Sequence, residues 1–192
     1  LETAALFGYK RGSFTGAVMD TPGYFETSHE STLFLDEIGE LSLEAQGCLL
    51  RVLEEPVVTR IGDTRGKAVD VRIIFATNRD LREEVSRGRF KPDLLSRIEE
   101  LCVSLPPLAQ RPAEIPLLAQ RFLRELCSKE QRRGISFSPD ALRWLQQQDW
   151  SDNARGIRNV IHGVVPLVED GAELTASTLN WARSQNNSLL MT

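Results

Sequence analysis

The stretch TLFLDEIGE at residues 32–40 decides the fold class, because a short apolar run ends directly on two carboxylates. Such a run predicts a buried strand of a parallel sheet. Asp36 and Glu37 then lie at the carboxyl end of that strand, where open parallel sheets place their ligands. A carboxylate there can hold Mg²⁺, and its neighbour can orient or deprotonate a water that attacks a γ-phosphate. The alternative is that the two acids only cap a strand or open a turn.

The residues that follow continue an α/β pattern. Apolar residues recur at helical spacing from Ser42, a candidate N-cap, until shortly before Pro56. The further elements predicted are a hairpin over 57–69, a second buried strand over 71–77 and a helix over 79–88. Asn78 follows the second strand and is expected at the same sheet edge as Asp36. The first half of the sequence therefore predicts an α/β fold with a parallel sheet.

The second half changes character after Pro106, Pro107 and Pro112. It predicts helices over 113–130, 139–148, 153–168 and 175–183. We therefore expect an α/β core at residues 1–108, a helical subdomain at 109–183, and a tail or linker at 184–192.

Composition excludes several classes of protein. The 192 residues are 41% hydrophobic and 26% charged, as in an ordinary globular chain. A net charge of −4 argues against wrapping nucleic acid unaided, because neutralising phosphates needs a basic face. The sequence has neither a long apolar run nor the layout of a signal peptide, so we expect a cytoplasmic protein with no membrane partner. The cysteines and histidines show no metal-ligand spacing. We expect the three cysteines to be reduced thiols in the core and the two histidines to be solvated or to pack: Cys48, Cys102, Cys127, His29 and His162.

Three motifs occur in order: LFG at residues 6–8, GSFTGA at residues 12–17, and the TLFLDEIGE stretch. Together they resemble the bacterial enhancer-binding proteins, the AAA+ ATPases that activate sigma-54 RNA polymerase. The similarity continues through residues 46–54, 60–62, 71–81 and 106–118. The resemblance implies an AAA+ P-loop NTPase-type parallel sheet core, incomplete because the Walker A strand is missing, followed by an α-helical lid subdomain. It also implies ATP and Mg²⁺ as cofactors.

In that family the loop motif reads GAFTGA and contacts the sigma factor. The resemblance assigns this contact to Gly12, Ser13, Phe14, Thr15, Gly16 and Ala17. Flanking glycines leave the backbone little restricted, and an exposed aromatic ring offers rigid apolar contact area. Phe14 and Thr15 are therefore expected to touch the sigma factor, and Ser13 replaces the usual alanine. The alternative is that Phe14 tucks into a turn.

The resemblance also assigns roles around the nucleotide. Asp36 would hold Mg²⁺ as the Walker B carboxylate, Glu37 would activate water, and Asn78 would be sensor I, although a turn-forming asparagine is the alternative. Arg97 matches the second family arginine, which reaches the neighbouring subunit's nucleotide. Lys91 stands in the first arginine's place and supplies a point charge rather than a fork. Surface salt bridges are the alternative for both cations.

Arg155 corresponds to the family's sensor II arginine, in a stretch that matches only in part. The family's proline, glycine, valine and glutamate are replaced there by Ser151, Asp152, Ala154 and Gly156. A glycine early in a helix weakens it by about 1 kcal/mol relative to alanine.

The 192 residues contain no G-x-x-x-x-G-K-[ST] phosphate loop. In the family that loop lies upstream of the point where Leu1 stands, so we expect a truncated chain that hydrolyses ATP poorly alone. The implied partners are sigma-54 RNA polymerase, further copies in a hexameric or heptameric ring, and promoter or enhancer DNA through a missing C-terminal domain. Two rival functions remain: a non-hydrolysing sigma-54-binding fragment, and an AAA+ remodeller with a different client.

Overall fold

The computed structural model describes residues 2–189, with side chains as far as residue 185. The chain divides into two compact units, residues 1–103 and residues 104–192. The first contains a parallel strand pair flanked by helices, and the second is mainly helical. The predicted fold class, an α/β core followed by a helical lid region, is confirmed.

The first unit is built from short elements. In chain order they are α1 (Glu2–Phe7), β1 (Gly8–Tyr9), β2 (Thr21–Pro22), α2 (Tyr24–Thr27), β3 (Ser31–Leu35), α3 (Leu43–Glu54), β4 (Val57–Thr59), β5 (Gly66–Ala68), β6 (Val71–Phe75), α4 (Leu81–Ser86) and α5 (Pro92–Ile98). A 3₁₀ turn, Ile38–Glu40, joins β3 to α3. Strands β1 and β2 pair antiparallel, and so do β4 and β5.

Strands β3 and β6 form the parallel pair, with Leu33 opposite Ile73. One face of the pair contributes Leu35 to the core beneath it. The other face is open, with Phe34 57% and Ile74 41% exposed. The prediction of fully buried strands is therefore wrong for this face, because within residues 2–189 only one side of the pair is covered. An apolar run alone does not say which elements will cover each face.

Helix α3 forms where the sequence predicts it. The Ser42 side chain accepts a hydrogen bond from the Ala45 N–H at 3.3 Å and caps the helix. Ala45, Leu49 and Val52 bury one stripe of the helix in the core of the first unit. Helix α3 thus joins the end of the 3₁₀ turn to the β4–β5 hairpin.

Replacing Gly47 by alanine is expected to stabilise α3 by about 1 kcal/mol, because glycine is that much worse than alanine in a helix interior. A Cβ here would meet only Lys91 Cε, at an ordinary 3.6 Å. Urea unfolding followed by far-UV circular dichroism measures the change. Gly39→Ala is the control expected to destabilise, because its Cβ would lie 3.0 Å from Thr77 Oγ1 and 3.1 Å from Arg79 Cδ. A midpoint for Gly47→Ala at or below that of the unmodified chain would contradict the expectation.

The second unit is a helical bundle with one short strand pair. Its elements are α6 (Ile115–Lys129), β7 (Ser136–Phe137), α7 (Pro139–Gln147), α8 (Asn153–Val164), β8 (Glu173–Leu174) and α9 (Ala176–Leu189). The four predicted helices are present, but α8 stops earlier than predicted and passes into a 3₁₀ turn at Val165–Leu167. Pro166 lies in that turn and has no N–H for a helical hydrogen bond.

The end of the second unit also differs from expectation. Helix α9 continues to Leu189, so residues 184–189 are helical where the sequence predicted a tail or linker. Residues 190–192 of that predicted tail lie outside the described residues. The parallel pairing of β7 with β8 was not predicted either, because two-residue strands carry almost no periodic signal.

Candidate functional site

The strand-end acids and Asn78 meet at one edge of the parallel pair. Leu35 lies opposite Phe75, and the Ile38 N–H donates to the Ala76 carbonyl oxygen at 3.1 Å. The turns that follow β3 and β6 are therefore neighbours. Asp36, Glu37 and Asn78 are all exposed on these turns. The edge presents two carboxylates and an amide to solvent, a ligand set that suits a hard cation and an attacking water.

Glu37 adopts a left-handed backbone conformation, with φ 53° and ψ 44°. That region costs a non-glycine residue about 1 kcal/mol or more. The Asp36 side chain accepts a hydrogen bond from the Glu37 N–H at 3.0 Å. The sharp turn lets the chain leave the strand at Glu37 and enter the 3₁₀ turn directly. Such strain concentrates at functional positions, which makes Glu37 the most distinctive residue of the edge.

Arg79 ties the two turns together. Its guanidinium donates to the Gly39 carbonyl oxygen at 3.3 Å, forms an ion pair with Glu40, and reaches Glu84 at 3.3 Å. Glu84 is buried and also accepts two hydrogen bonds from Arg89, at 2.6 and 2.7 Å. This cluster of Glu40, Arg79, Glu84 and Arg89 fixes the turn after β3 against α4. Sequence reasoning missed it, and the only available signal was an arginine next to the predicted strand-end asparagine.

Hydrogen bonds from Arg89 lower the pKa of Glu84 to about 2. A carboxyl group with a depressed folded-state pKa stabilises the fold above its unfolded pKa, and this stabilisation is lost as the pH falls toward the folded value. We therefore expect unmodified protein to lose more thermal stability than Glu84→Gln between about pH 5 and pH 2.5. Melting temperatures measured at both pH values test this. Equal losses in the two proteins would show that Glu84 does not stay ionised in this range.

The two candidate trans-acting cations lie at either end of α5. Lys91 is the N-cap residue, and Arg97 lies in the last turn. The Arg97 guanidinium is half-exposed, donates weakly to the Leu53 carbonyl oxygen at 3.4 Å and lies 3.5 Å from Glu100. Among the described residues, neither cation pairs with Asp36. Of the two cations, Arg97 thus forms a surface salt bridge, as the alternative interpretation expects. The trans-acting role of both residues stays a prediction.

The GSFTGA segment, residues 12–17, forms a loop between β1 and β2. Most of it is exposed, but Ser13 is half-buried and Ala17, which was also predicted to contact the sigma factor, is buried. The Gly12 N–H donates to the Ala17 carbonyl oxygen at 2.8 Å and closes the loop on itself. Gly12 and Gly16 have positive φ, and no other atom lies within 4 Å of where their Cβ atoms would be. The Phe14 ring is 39% exposed and packs edge-on against Tyr9 at 4.9 Å. Phe14 is therefore neither in the core nor fully free, and one aromatic contact holds it at the surface.

The base of this loop is joined to the β4–β5 hairpin. The Lys10 N–H donates to the Ile61 carbonyl oxygen at 2.9 Å, and the Ile61 N–H donates to the Gly8 carbonyl oxygen at 3.0 Å. Next to Ile61, Arg60 forms two hydrogen bonds with the buried carboxylate of Glu26, at 2.5 and 2.8 Å. The pKa of Glu26 is lowered, first by these hydrogen bonds from Arg60. Backbone hydrogen bonds therefore join the base of the loop to the hairpin, and the ion pair of Arg60 with Glu26 joins the hairpin to α2.

Arg155 lies in the second unit, in the first turn of α8, and is exposed. Its guanidinium has no hydrogen bond or ion pair within the part of the chain that the structure describes. Gly156 has a packing reason: a Cβ there would lie 3.1 Å from the Trp150 ring, which is buried. The glycine that departs from the family pattern thus makes room for Trp150, and the role of Arg155 stays a prediction.

Two predictions about cysteine and histidine can be compared with the structure. Cys102 is exposed, so the prediction of a core thiol is wrong there, whereas Cys48 and Cys127 are half-buried. His29 is exposed to solvent, and its ring accepts a hydrogen bond from the Asp70 N–H at 3.0 Å. Between residues 2 and 189, no three His, Cys, Asp or Glu side chains cluster as metal ligands. Nor does any helix in that range have the length and apolar character needed to cross a membrane.

Comparison with known proteins matches both units. Residues 1–104 match the family model of the sigma-54 interaction domain, and residues 109–189 match that of the AAA+ ATPase lid domain. The anaerobic nitric oxide reductase transcription regulator NorR of Salmonella heidelberg (strain SL476) is 42% identical over 184 residues, which is 94% of this chain and 36% of NorR. A Nif-specific regulatory protein of Rhizobium leguminosarum bv. trifolii is 46% identical over 154 residues, 80% of this chain and 43% of that protein.

Solved structures agree with the sequence relatives. NtrX from Brucella abortus, crystallised with ADP, superposes with a TM-score of 0.81 at 31% identity, over 92% of this chain and 39% of NtrX. The same protein crystallised with ATP gives a TM-score of 0.81 at 30% identity, again over 92% of this chain and 39% of NtrX. The chain thus spans roughly two fifths of the length of the proteins it matches.

Proposed function

Because the chain belongs to the sigma-54 interaction domain family and carries an AAA+ lid, we propose that it is the motor part of an ATP-dependent transcriptional activator. In this proposal the complete protein hydrolyses ATP and uses the energy to remodel the closed complex of sigma-54 RNA polymerase. One observation carries it: a single compact unit contains the open GSFTGA loop and the strand edge with Asp36, Glu37 and Asn78. Hydrolysis at the strand edge can move the loop only if the two belong to one compact unit.

The strand edge supplies the hydrolytic chemistry in this proposal. Asp36 holds Mg²⁺, Glu37 orients the attacking water, and Asn78 hydrogen-bonds that water and the γ-phosphate. The exposure of all three side chains and the turn at Glu37 support these roles. The crystal structures of NtrX in complex with ADP and with ATP support nucleotide binding. The 192 residues contain no phosphate-binding loop motif, so we assign the phosphate cradle to another segment.

Three cations complete the proposed site. Lys91 and Arg97 act on the nucleotide of a neighbouring subunit in a hexameric or heptameric ring, where their charge stabilises the transition state. Within residues 2–189 the Lys91 side chain forms no ion pair, and Arg97 forms only long contacts with the Leu53 carbonyl oxygen and Glu100, so both can make such contacts. Arg155, which is exposed on the lid, contacts nucleotide as sensor II. We propose that a further domain binds promoter or enhancer DNA and that the whole protein is located in the cytoplasm.

Residues 12–17 make the contact with sigma-54 in this proposal, through Phe14 and Thr15. The ring of Phe14 is held by one edge-on contact with Tyr9, so little has to be broken to present it to a partner. The hydrogen bonds between the loop base and Ile61 supply a route by which movement of the hairpin can reach the loop. Order and position of the loop would follow the γ-phosphate state, as in other nucleotide switches.

Crosslinking tests the client. In full-length protein with Cys48, Cys102 and Cys127 replaced by alanine, Thr15→Cys is expected to crosslink to purified sigma-54 in the presence of ADP and aluminium fluoride. Gln147→Cys, at an exposed position on the lid, is the matched control and is expected to give no adduct. Absence of a Thr15 adduct alongside normal ATP hydrolysis would favour an AAA+ remodeller with a different client.

A non-hydrolysing sigma-54-binding module is the second candidate, favoured by Lys91 in place of an arginine and by the missing phosphate-loop motif. Calorimetric titration of the 192-residue chain with ATP and Mg²⁺ is expected to show no micromolar binding. Tight Mg²⁺-dependent binding would contradict our assignment of the cradle to another segment. Hydrolysis by the full-length protein then separates the two candidates, since only the motor turns over.

A further inference from the structure

Gln46 is a completely buried polar side chain in the middle of the first unit. Its Nε2 donates to the carbonyl oxygens of Leu41 at 2.7 Å and Arg89 at 2.9 Å. Its Oε1 accepts from the Lys91 N–H at 2.8 Å. Both amide hydrogens and the amide oxygen are therefore used. Only an amide of this length supplies two donors and an acceptor together, because a carboxylate has no donor and an apolar side chain has neither.

The three partners of Gln46 come from two separate segments. Leu41 ends the 3₁₀ turn that follows Asp36 and Glu37. Arg89 and Lys91 lie just before α5, and Lys91 is its N-cap residue. Gln46 thus links the segment after the strand-end acids to the backbone of Lys91. No other hydrogen bond among residues 2–189 satisfies the Lys91 N–H.

The Lys91 side chain also passes over the neighbouring position in α3. A Cβ on Gly47 would lie 3.6 Å from Lys91 Cε, so the lysine side chain runs over the helix at this point. Gln46 holds the lysine backbone while the surface at Gly47 borders its side chain. A glutamine that served only to fill the core would be replaced at little cost by leucine, which has similar volume and no polar group to satisfy.

We propose that Gln46 is a positioning residue that sets the place of Lys91 relative to the turn carrying Asp36 and Glu37. The role of Lys91 in hydrolysis rests on the proposed function, whereas the positioning itself does not. Through Gln46, a displacement of the turn after β3 moves the start of α5, and with it the lysine offered to a neighbouring subunit. Gln46 itself touches no nucleotide in this proposal.

Amide exchange tests the positioning in the 192-residue chain. Gln46→Leu, in α3, is expected to raise the exchange rate of the Lys91 amide about tenfold or more, relative to the amides of β3, because that amide loses the one acceptor it has among residues 2–189. Val52→Ala, a buried change on the same helix, is the control for a general loss of stability. It should leave this ratio unchanged. A ratio within about twofold of the unmodified chain in Gln46→Leu would overturn the positioning role.

Hydrolysis by the full-length protein tests the consequence. Gln46→Leu is expected to lower kcat about tenfold or more with little change in KM, because displacement of a catalytic group by about 1 Å is costly. In Lys91→Ala background, adding Gln46→Leu should produce no further loss. Losses that multiply, or an equal loss in Val52→Ala, would show that Gln46 does not act through Lys91. If the unmodified protein lacks hydrolysis, the proposed function fails while the exchange result still decides the positioning.

Discussion

Replacing Glu37 by glutamine is expected to lower ATP hydrolysis by the full-length protein about 10²–10⁴-fold, the usual loss when a general base is removed. Glutamine keeps the size of the side chain and can still hydrogen-bond a water, but it cannot accept the water's proton. Asp36 is unchanged in this variant, so Mg²⁺ and nucleotide binding should persist. A coupled phosphate-release assay measures turnover, and calorimetry measures the affinity for ATP.

Glu44→Gln is the matched control for that experiment. Glu44 is exposed near the start of α3 and takes no part in the strand edge. Its replacement should change turnover less than about twofold, since surface substitutions of this kind have small effects. If Glu37→Gln kept full activity, the water would have to be activated elsewhere, and the assignment of the strand edge would be wrong. If it lost nucleotide binding as well, Glu37 would be a ligand-binding residue rather than a base.

The sequence predicted where the strand-end residues lie, because the signal for their position is local. An apolar run that stops at carboxylates places those carboxylates at a strand end whatever else the chain does, and the structure puts Asp36 and Asn78 on adjacent turns. Helix α3 was predictable for a similar reason, since its cap at Ser42 and its apolar spacing lie within one short segment. The bounds of the loop at residues 12–17 came instead from the resemblance of GSFTGA to the family's GAFTGA motif.

Features that depend on distant contacts were not predicted. Gln46 reads as one polar residue in an amphipathic helix, and only the folded chain brings Arg89 and Lys91 to its amide. Arg79 likewise contacts Gly39 and Glu40, which lie on a turn far from it in the sequence. Such pairings depend on how the elements pack, and residue spacing within one segment carries no information about them. The same limit explains why the face of the strand pair that stays open could not be foreseen.

A second prediction concerns the ion pair between Arg60, in the β4–β5 hairpin, and the buried carboxylate of Glu26. Replacing Arg60 by methionine is expected to destabilise the first unit by about 3 kcal/mol at neutral pH, because a buried carboxylate then loses its main partner. The Glu26 side chain is only 3% exposed. Its other cationic partner is Lys67, whose Nζ lies 3.3 Å from Glu26 Oε2 and whose side chain is 61% exposed. Lys67 can therefore offset only part of the loss. Urea unfolding followed by far-UV circular dichroism measures it.

The pH dependence of this effect identifies its cause. The pKa of Glu26 is lowered in the folded protein, so the pair's contribution is complete above the ordinary value of 4.5 and is lost as the pH falls below it. In Arg60→Met the carboxyl group of Glu26 would be easier to protonate. The difference in free energy of unfolding between the variant and the unmodified chain should therefore become smaller in acid. Glu26→Gln is the matched control, and it should cost less at neutral pH, because the charge left behind belongs to Arg60, which is 24% exposed and can reach solvent. If the difference in free energy of unfolding between Arg60→Met and the unmodified chain stayed constant with pH, the loss would come from packing of the arginine side chain. The ion pair between Arg60 and Glu26 would then not be its cause.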